Sequence, residues 1–470
     1  MNASAERAGA QGQARQEQPA VPKPPKGAQS RLRWLGPGFL WMVSAAGSGE
    51  LLFSPRIGSL YGYSLLWALL AAVACKWFIN REIGRYAVCT GAPILEGFKQ
   101  LPGPRNWAVW LIIVPQVVVA ISAIAGLASS AATAAVLVLP GPLWLWTLVI
   151  IGAAANLVLW GRYGLIEKTA TVLGLALAVA AVVTAATVFP SPGAIAGGLV
   201  PQVPEGVDLR EVLPWLGFAL SGAAGMMWYS YWLPPKGYGV AGGEGAEDDD
   251  TPIDPKQLDE AGRKRLKGWL TQLTLDNSVA VVGALVILLG FLILGVELLR
   301  PQGLVPAEDR IAEVLGQLLG QAWGPFGYWF MIAAVGIAFF STTLSNQDGW
   351  ARLLSNGTGI IARGLGLRGR WADEGLLRKV ILVVVLAIIP VAVFLLFGNP
   401  VALLQLAGAI EAAHLPVLAG LTLYVNYRAL PKDLRPSMVT TGFTVLSALF
   451  FATFAAIYLY QIVTGSGSGA

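Results

Sequence analysis

The chain has 470 residues, 55% of them hydrophobic and only 13% charged, with a mean hydropathy of +0.63 and a formal net charge of +5. A soluble domain carries about 25% charged residues, so this composition excludes a soluble globular enzyme and a disordered protein. The apolar residues lie in long runs, each near the roughly 20 residues that cross the hydrocarbon layer, which predicts one all-α polytopic membrane domain.

In chain order, residues 1–33 are rich in Ala, Gln, Pro and Gly, end near PKPPKG, and read as a disordered cytoplasmic tail without the apolar run of a signal peptide. Eleven spans follow, at about 34–58, 63–80, 106–137, 143–160, 165–189, 211–233, 269–298, 324–345, 378–397, 400–426 and 438–463, and residues 464–470 form a short flexible tail. Span 1 carries Gly47-Ser48-Gly49-Glu50 in its middle, and span 6 carries Gly222 and Gly225, so both are expected to be interrupted there. Alternating the spans from a cytoplasmic N-terminus puts every Lys and Arg on an inside segment except Arg56, Arg210, Arg300 and Arg310. The segment from Lys76 to Arg105 counts as inside. That asymmetry is what the positive-inside rule demands, and it places the C-terminus outside the cell membrane. The basic residues therefore set topology, and no nucleic-acid partner is implied.

Segment 234–268 is a cytoplasmic loop with an acidic run, Glu244 and Glu247 to Asp250, which reads as a solvated loop. Asp254-Pro255 looks like the start of a short interfacial helix carrying Lys264, Arg265 and Lys267. Ser341, Thr342, Thr343, Asn346 and Asp348 look like the polar exit of span 8. Cys75 and Cys89, with His414 as the lone histidine, exclude a disulfide framework, a thiolate cluster and a multi-histidine metal site. No nucleophile–His–carboxylate set or cofactor motif is present, so neither an enzyme nor a resident cofactor is expected. The partners implied are lipid and a transported solute, with no obligatory protein partner.

Several stretches together resemble one family. Gly36-Pro37-Gly38-Phe39-Leu40 opens span 1, followed by a break eleven residues after Gly36. GYSLLWALL and RYAVCTG lie in and after span 2, GRYGLIEK opens span 5, GGLVPQVPEG precedes span 6, and LAIIPVAV and HLPV lie in spans 9 and 10. This order and spacing over residues 34–430 is similar to the NRAMP (natural resistance-associated macrophage protein) family of proton-coupled divalent metal transporters. The resemblance implies a leucine-transporter (LeuT) type fold: two inverted five-helix repeats, about 34–189 and 211–426, plus span 11. Its site lies where helices 1 and 6 unwind. Unwound backbone at membrane depth is tolerated where it lines a cavity, and its carbonyls then bind ions.

The family's D-P-G-N falls on Gly47, Ser48, Gly49 and Glu50, so its Asp ligand is lost and its Asn ligand becomes Glu50. Its A-x-x-M-P-H falls on Ala223 to Trp228, which keeps Ala223 and Met226 and loses the Pro and His. The acidic positions of span 3 fall on Ile113, Ala120 and Ala123, and a site-facing Gln of span 10 falls on Gly408. The implied substrate site is Gly47, Glu50, Ala223 and Met226, with Ser48, Gly49, Met227, Trp228 and Tyr229 as candidate pocket lining.

A carboxylate at membrane depth is costly unless paired or solvated, so Glu50 is either an ion ligand or a structural partner of Arg56 or Lys76. Glu411 and His414 lie three apart on one helix face and are either a proton relay or separately satisfied packing groups. The expected activity is transport of a divalent metal cation, Mn/Fe-type or Mg, by alternating access with weak or absent proton coupling. A LeuT-fold carrier of another small solute, or a non-transporting ion sensor, stands as the alternative.

Overall fold

In the computed structural model, residues 21–45, 48–161, 164–243, 252–367, 369 and 372–465 are described, and the regular structure among them is entirely helical. The helices are α1 Ala28–Arg33, α2 Pro37–Ala45, α3 Ser54–Tyr61, α4 Leu66–Thr90, α5 Ile94–Lys99, α6 Trp107–Val138, α7 Leu143–Trp160, α8 Gly164–Thr187 and α9 Pro192–Gly198. They continue with α10 Leu209–Phe218, α11 Ala223–Trp232, α12 Glu260–Leu294, α13 Ile311–Gly364, α14 Glu374–Val380, α15 Ile389–Phe397, α16 Pro400–Ala429 and α17 Met438–Thr464. Side-chain caps fix several starts: Asp208 accepts from Arg210 N–H, Asp259 from Gly262 N–H, Asn399 from Ala402 N–H and Ser437 from Thr440 N–H.

Among the described residues, seven helices are long and apolar enough to cross a membrane, and eight if the bent pair Val172–Thr187 and Pro192–Gly198 counts as one span. The expected spans 1, 2 and 6 fall short of that measure for physical reasons. Span 6 is divided between Phe218 and Ala223, span 1 is described as Pro37–Ala45 and, from Ser48, a π turn leading into α3, with 46–47 outside the described residues, and α4 carries Lys76, Arg81, Glu82 and Arg85. At the centre, α6 packs along α13 and α16, and α10 packs along α16. The α10–α16 contact is unusually close, because a Cβ on Gly217 would lie 2.1 Å from the Gly408 carbonyl oxygen. That approach explains why no glutamine stands at 408: a Cβ there would sit 2.8 Å from Pro214 and Phe218.

Four expectations are corrected. The tail is ordered from Val21 on, since Arg265 donates to Val21 O, Trp269 to Pro22 O and Gln272 to Arg31 O; residues 1–20 lie outside the described set. Composition could not reveal these partners, because they come from the far side of the sequence. Asp254 caps only a short 3-10 turn, Pro255–Gln257, and Asp259 starts α12, so Lys264, Arg265 and Lys267 ride on the first turns of a spanning helix and not on a separate interfacial one. The acidic run 244–250 lies outside the described residues. The polar group from Ser341 to Asp348 does not end a helix either. α13 runs on to Gly364, with its one sharp bend at Gly324, and Asp348 pairs with Arg352 and Arg378. Finally, Lys76, counted with the inside basic segment although it falls in the expected span 63–80, is fully buried inside the bundle.

Candidate functional site

Span 6 stops being helical between Phe218 and Ala223. Leu220 (φ 68°) and Ser221 (φ 124°) take left-handed backbone, which side chains of L-residues rarely adopt. The break therefore lies just ahead of the expected Gly222–Met226: Gly222 is the N-cap of α11, and Ala223 and Met226 belong to its first turn. In span 1, α2 ends at Ala45 and a π-helical turn covers Ser48–Phe53 before α3 begins. Gly47 lies outside the described residues. Ser48 and Gly49 contribute their backbone to that π turn.

An unwound segment frees backbone groups that must find partners in a medium without water. Here three charged side chains from three other spans supply them. Glu50, on the π turn and 1% exposed, accepts the Leu220 N–H through Oε1 at 3.2 Å. Glu411, on α16, accepts the Ala224 N–H at 3.2 Å and so sits at the positive end of α11. A Cβ on Gly222 would lie 2.5 Å from the Glu411 carboxyl carbon, so glycine there lets the carboxylate reach the helix end. Lys76, on α4, donates to the carbonyls of Gly217, Ala219 and Ser221 at 2.7, 2.6 and 2.7 Å.

Neither partner proposed for Glu50 from sequence forms an ion pair with it. Arg56 makes a two-pronged pair with Glu211 at 2.7 and 2.6 Å, and Lys76 is turned to the carbonyls. The second carboxylate oxygen of Glu50, Oε2, is buried without a hydrogen-bond partner among the described residues.

Glu411 and His414 are joined through a third residue, Gln116 of α6. Its amide nitrogen lies 3.3 Å from Glu411 Oε2 and 3.2 Å from His414 Nδ1, and its carbonyl oxygen accepts from Trp350 at 3.1 Å. Met226 and Met227 are fully buried. Trp228 meets Trp350 edge-on at 5.1 Å, and its indole N–H is buried without a partner among the described residues. Tyr229 donates to Asp276 at 2.8 Å, and Asp276 also accepts the Gly36 and Gly38 N–H groups at the start of α2. Tyr229 is thus part of a tie between α11, α12 and α2. The span 3 positions Ile113, Ala120 and Ala123 are buried and apolar.

Among the described residues no group of three or more His, Cys, Asp or Glu side chains is placed to hold a metal ion. A metal at the break would rest on mixed donors: Glu50 Oε2, the thioether of Met226 and backbone carbonyls. Such a set suits an ion that is passed on rather than kept. Sequence reading underrated Lys76 and missed Gln116. The signal for Lys76 was present, as a lysine inside span 63–80 where a charge needs a reason. Gln116 is one polar residue in a long apolar helix, and the resemblance drew attention to 113, 120 and 123 instead.

The sequence profile of the natural resistance-associated macrophage protein-like (Nramp) family matches residues 38–461. An uncharacterised protein of Pasteurella multocida is 24% identical over 331 residues, covering 69% of this chain and 70% of that protein. The divalent metal cation transporter MntH of Yersinia pestis is 25% identical over 181 residues, which covers 37% of this chain and 43% of MntH. A crystal structure of a manganese transporter mutant from Eremococcus coleocola superposes with a TM-score of 0.68 at 16% identity, covering 97% of this chain and 92% of that one. The nucleobase-cation-symport-1 family transporter Mhp1, closed with bromovinylhydantoin bound, gives a TM-score of 0.51 at 14% identity, covering 92% and 93%. These likenesses place the fold among NRAMP and LeuT-type transporters, so the apolar helices belong to a multi-pass membrane protein. A profile match over nearly the whole chain, on a fold broken where that family unwinds span 6, means that the chain belongs to the natural resistance-associated macrophage protein-like family.

Proposed function

We propose that this protein carries a divalent metal cation, Mn/Fe-type or Mg, across the plasma membrane by alternating access, with eleven spans, a cytoplasmic N-terminus and an extracytoplasmic C-terminus. The reading is supported by family membership, by the name of the MntH relatives and by one observation above the rest: the unpartnered Glu50 Oε2, buried beside a broken helix. Glu50, the carbonyls of Gly47 and Ala223, and Met226 hold the ion. With Glu50, Glu411 and Lys76 all ionised, the break carries a net single negative charge, the same as a site with one carboxylate. A divalent cation is therefore attracted even with an ammonium nearby.

Proton coupling is weak or absent in this reading, because Ile113, Ala120 and Ala123 cannot pass protons. One observation favours a carrier of another small solute: Lys76 already occupies three carbonyls that a metal could have used. Proteoliposomes loaded with a metal-sensing dye and a pH dye separate the readings. Uptake of at least one of Mn²⁺, Fe²⁺ and Mg²⁺ with little change in luminal pH is expected. Silence toward all three, or proton influx that tracks metal, contradicts the corresponding half of the proposal.

A further inference from the structure

The ammonium of Lys76 is fully buried, yet no carboxylate lies within ion-pair distance of it among the described residues. Its three N–H donors meet three carbonyls at 2.6 to 2.7 Å, which exhausts its hydrogen-bonding capacity. The buried ring of Phe451, on α17, closes another side with its centroid 5.8 Å from Nζ. Carbonyl dipoles and an aromatic face are how proteins hold a bare monovalent cation, not how they usually neutralise a lysine. The cradle comes from the break itself: Gly217 lies in the last turn of α10, Ala219 leaves the helix at ψ 121°, and the left-handed backbone at Leu220 and Ser221 brings the Ser221 carbonyl to the same point. A saturated Lys76 also has no donor left for an anionic substrate.

We propose that the carbonyls of Gly217, Ala219 and Ser221, with Phe451, form a monovalent-cation site in which Lys76 is the built-in occupant. The wild-type chain then needs no exchangeable Na⁺ or K⁺ there to hold its broken span together. This inference stands on the geometry of the cradle and not on the identity of the transported solute.

The test is thermal unfolding of the purified full-length chain in divalent-free buffer, at constant ionic strength, with N-methyl-D-glucamine exchanged for Na⁺, K⁺ or methylammonium. Wild-type Tm should be the same in all four. Lys76→Ala removes the ammonium and opens room for a small cation. Its Tm should fall by several degrees in N-methyl-D-glucamine and recover in a saturable way with methylammonium, and partly with K⁺ or Na⁺. A Lys76→Ala Tm that is flat across the series, whether lowered or equal to wild type, overturns the proposal, as does a wild-type Tm that depends on Na⁺ or K⁺. Should Lys76→Ala not accumulate, Lys76→Gln, whose amide can donate to two of the carbonyls, is tested in the same series. Failure of both variants to fold even when expressed and purified with methylammonium also overturns it, since a supplied ammonium would then not replace the tethered one. None of these readouts involves transport, so they are independent of whether metal is carried.

Discussion

Arg56 and Glu211 join α3 to α10 near one end of the bundle through bonds of 2.7 and 2.6 Å, and their side chains keep 11% and 16% exposure. Glu50, Lys76 and Glu411 reach span 6 at its interruption and are at most 1% exposed. At the first place charge answers charge. At the second, each charge answers backbone: two carboxylates take N–H groups, and the ammonium takes carbonyls. The difference follows from what each place lacks. Near the end of the bundle the helices are intact and only their spacing must be fixed, which an ion pair can do and release. At the break the missing partners are peptide groups, and each one left bare in an apolar medium costs several kcal/mol. Charges used this way are tied to the local backbone, and they give way only when the broken segment itself rearranges.

The largest expected effect comes from Glu50→Gln. The amide oxygen can still accept from Leu220, so the break should stay formed and the protein should remain monodisperse in detergent. What disappears is the negative charge at Oε2. Loss of one partner from a buried charge contact costs about 3–5 kcal/mol, or 10²-fold and more in affinity. Metal uptake into proteoliposomes should therefore drop to background. Wild-type uptake with unchanged affinity would make Glu50 as structural as Lys76.

Glu411→Gln tests the opposite wall of the same break. Its amide oxygen can still accept from Ala224, but the charge at the α11 N-terminus is lost, an interaction of up to about 2 kcal/mol when partly buried. Uptake should weaken by about tenfold, with the change mainly in KM if Glu411 only adds negative potential. A large loss of kcat with KM unchanged would instead implicate the Glu411–Gln116–His414 chain in the transport cycle.

How far the sequence announces this arrangement depends on the kind of feature. The all-helical membrane fold and the broken span 6 are legible, because apolar run length and motif order report them directly. The break itself is displaced to Leu220 and Ser221, which no propensity rule would choose over the neighbouring glycines; tertiary partners impose that backbone. Glu50 and Glu411 stand out in apolar runs, and both accept backbone N–H groups at the break in span 6, whereas from sequence Glu411 reads only as a relay with His414 or as a packing group. The use of Lys76 is not legible, because a lysine a few residues from Arg81 and Arg85 reads as part of a topogenic cluster. Only the carbonyls of a segment far along the chain reveal its use. The close α10–α16 contact through Gly217 and Gly408 is equally silent, since a glycine alone does not say which helix approaches it.

The smallest effect is expected where charge meets charge. Arg56 also donates to the Pro306 carbonyl, so it ties α3 both to α10 and to the segment before α13. Alternating access requires broken spans to shift against their surroundings, and a partly exposed pair is the kind of contact that can be remade each cycle. Exposed pairs are worth about 0.2–1 kcal/mol, and a two-pronged, partly buried one somewhat more. Arg56→Gln should therefore change uptake by only a few-fold. Its effect should fall on the turnover rate, because the residue lies away from the carbonyls and carboxylates of the break. The added variant Glu211→Gln should bring little further change, since both substitutions remove the same contact. Strict additivity of the two would show that Arg56 and Glu211 act separately. A collapse of uptake as deep as that of Glu50→Gln would erase the distinction between the two regions.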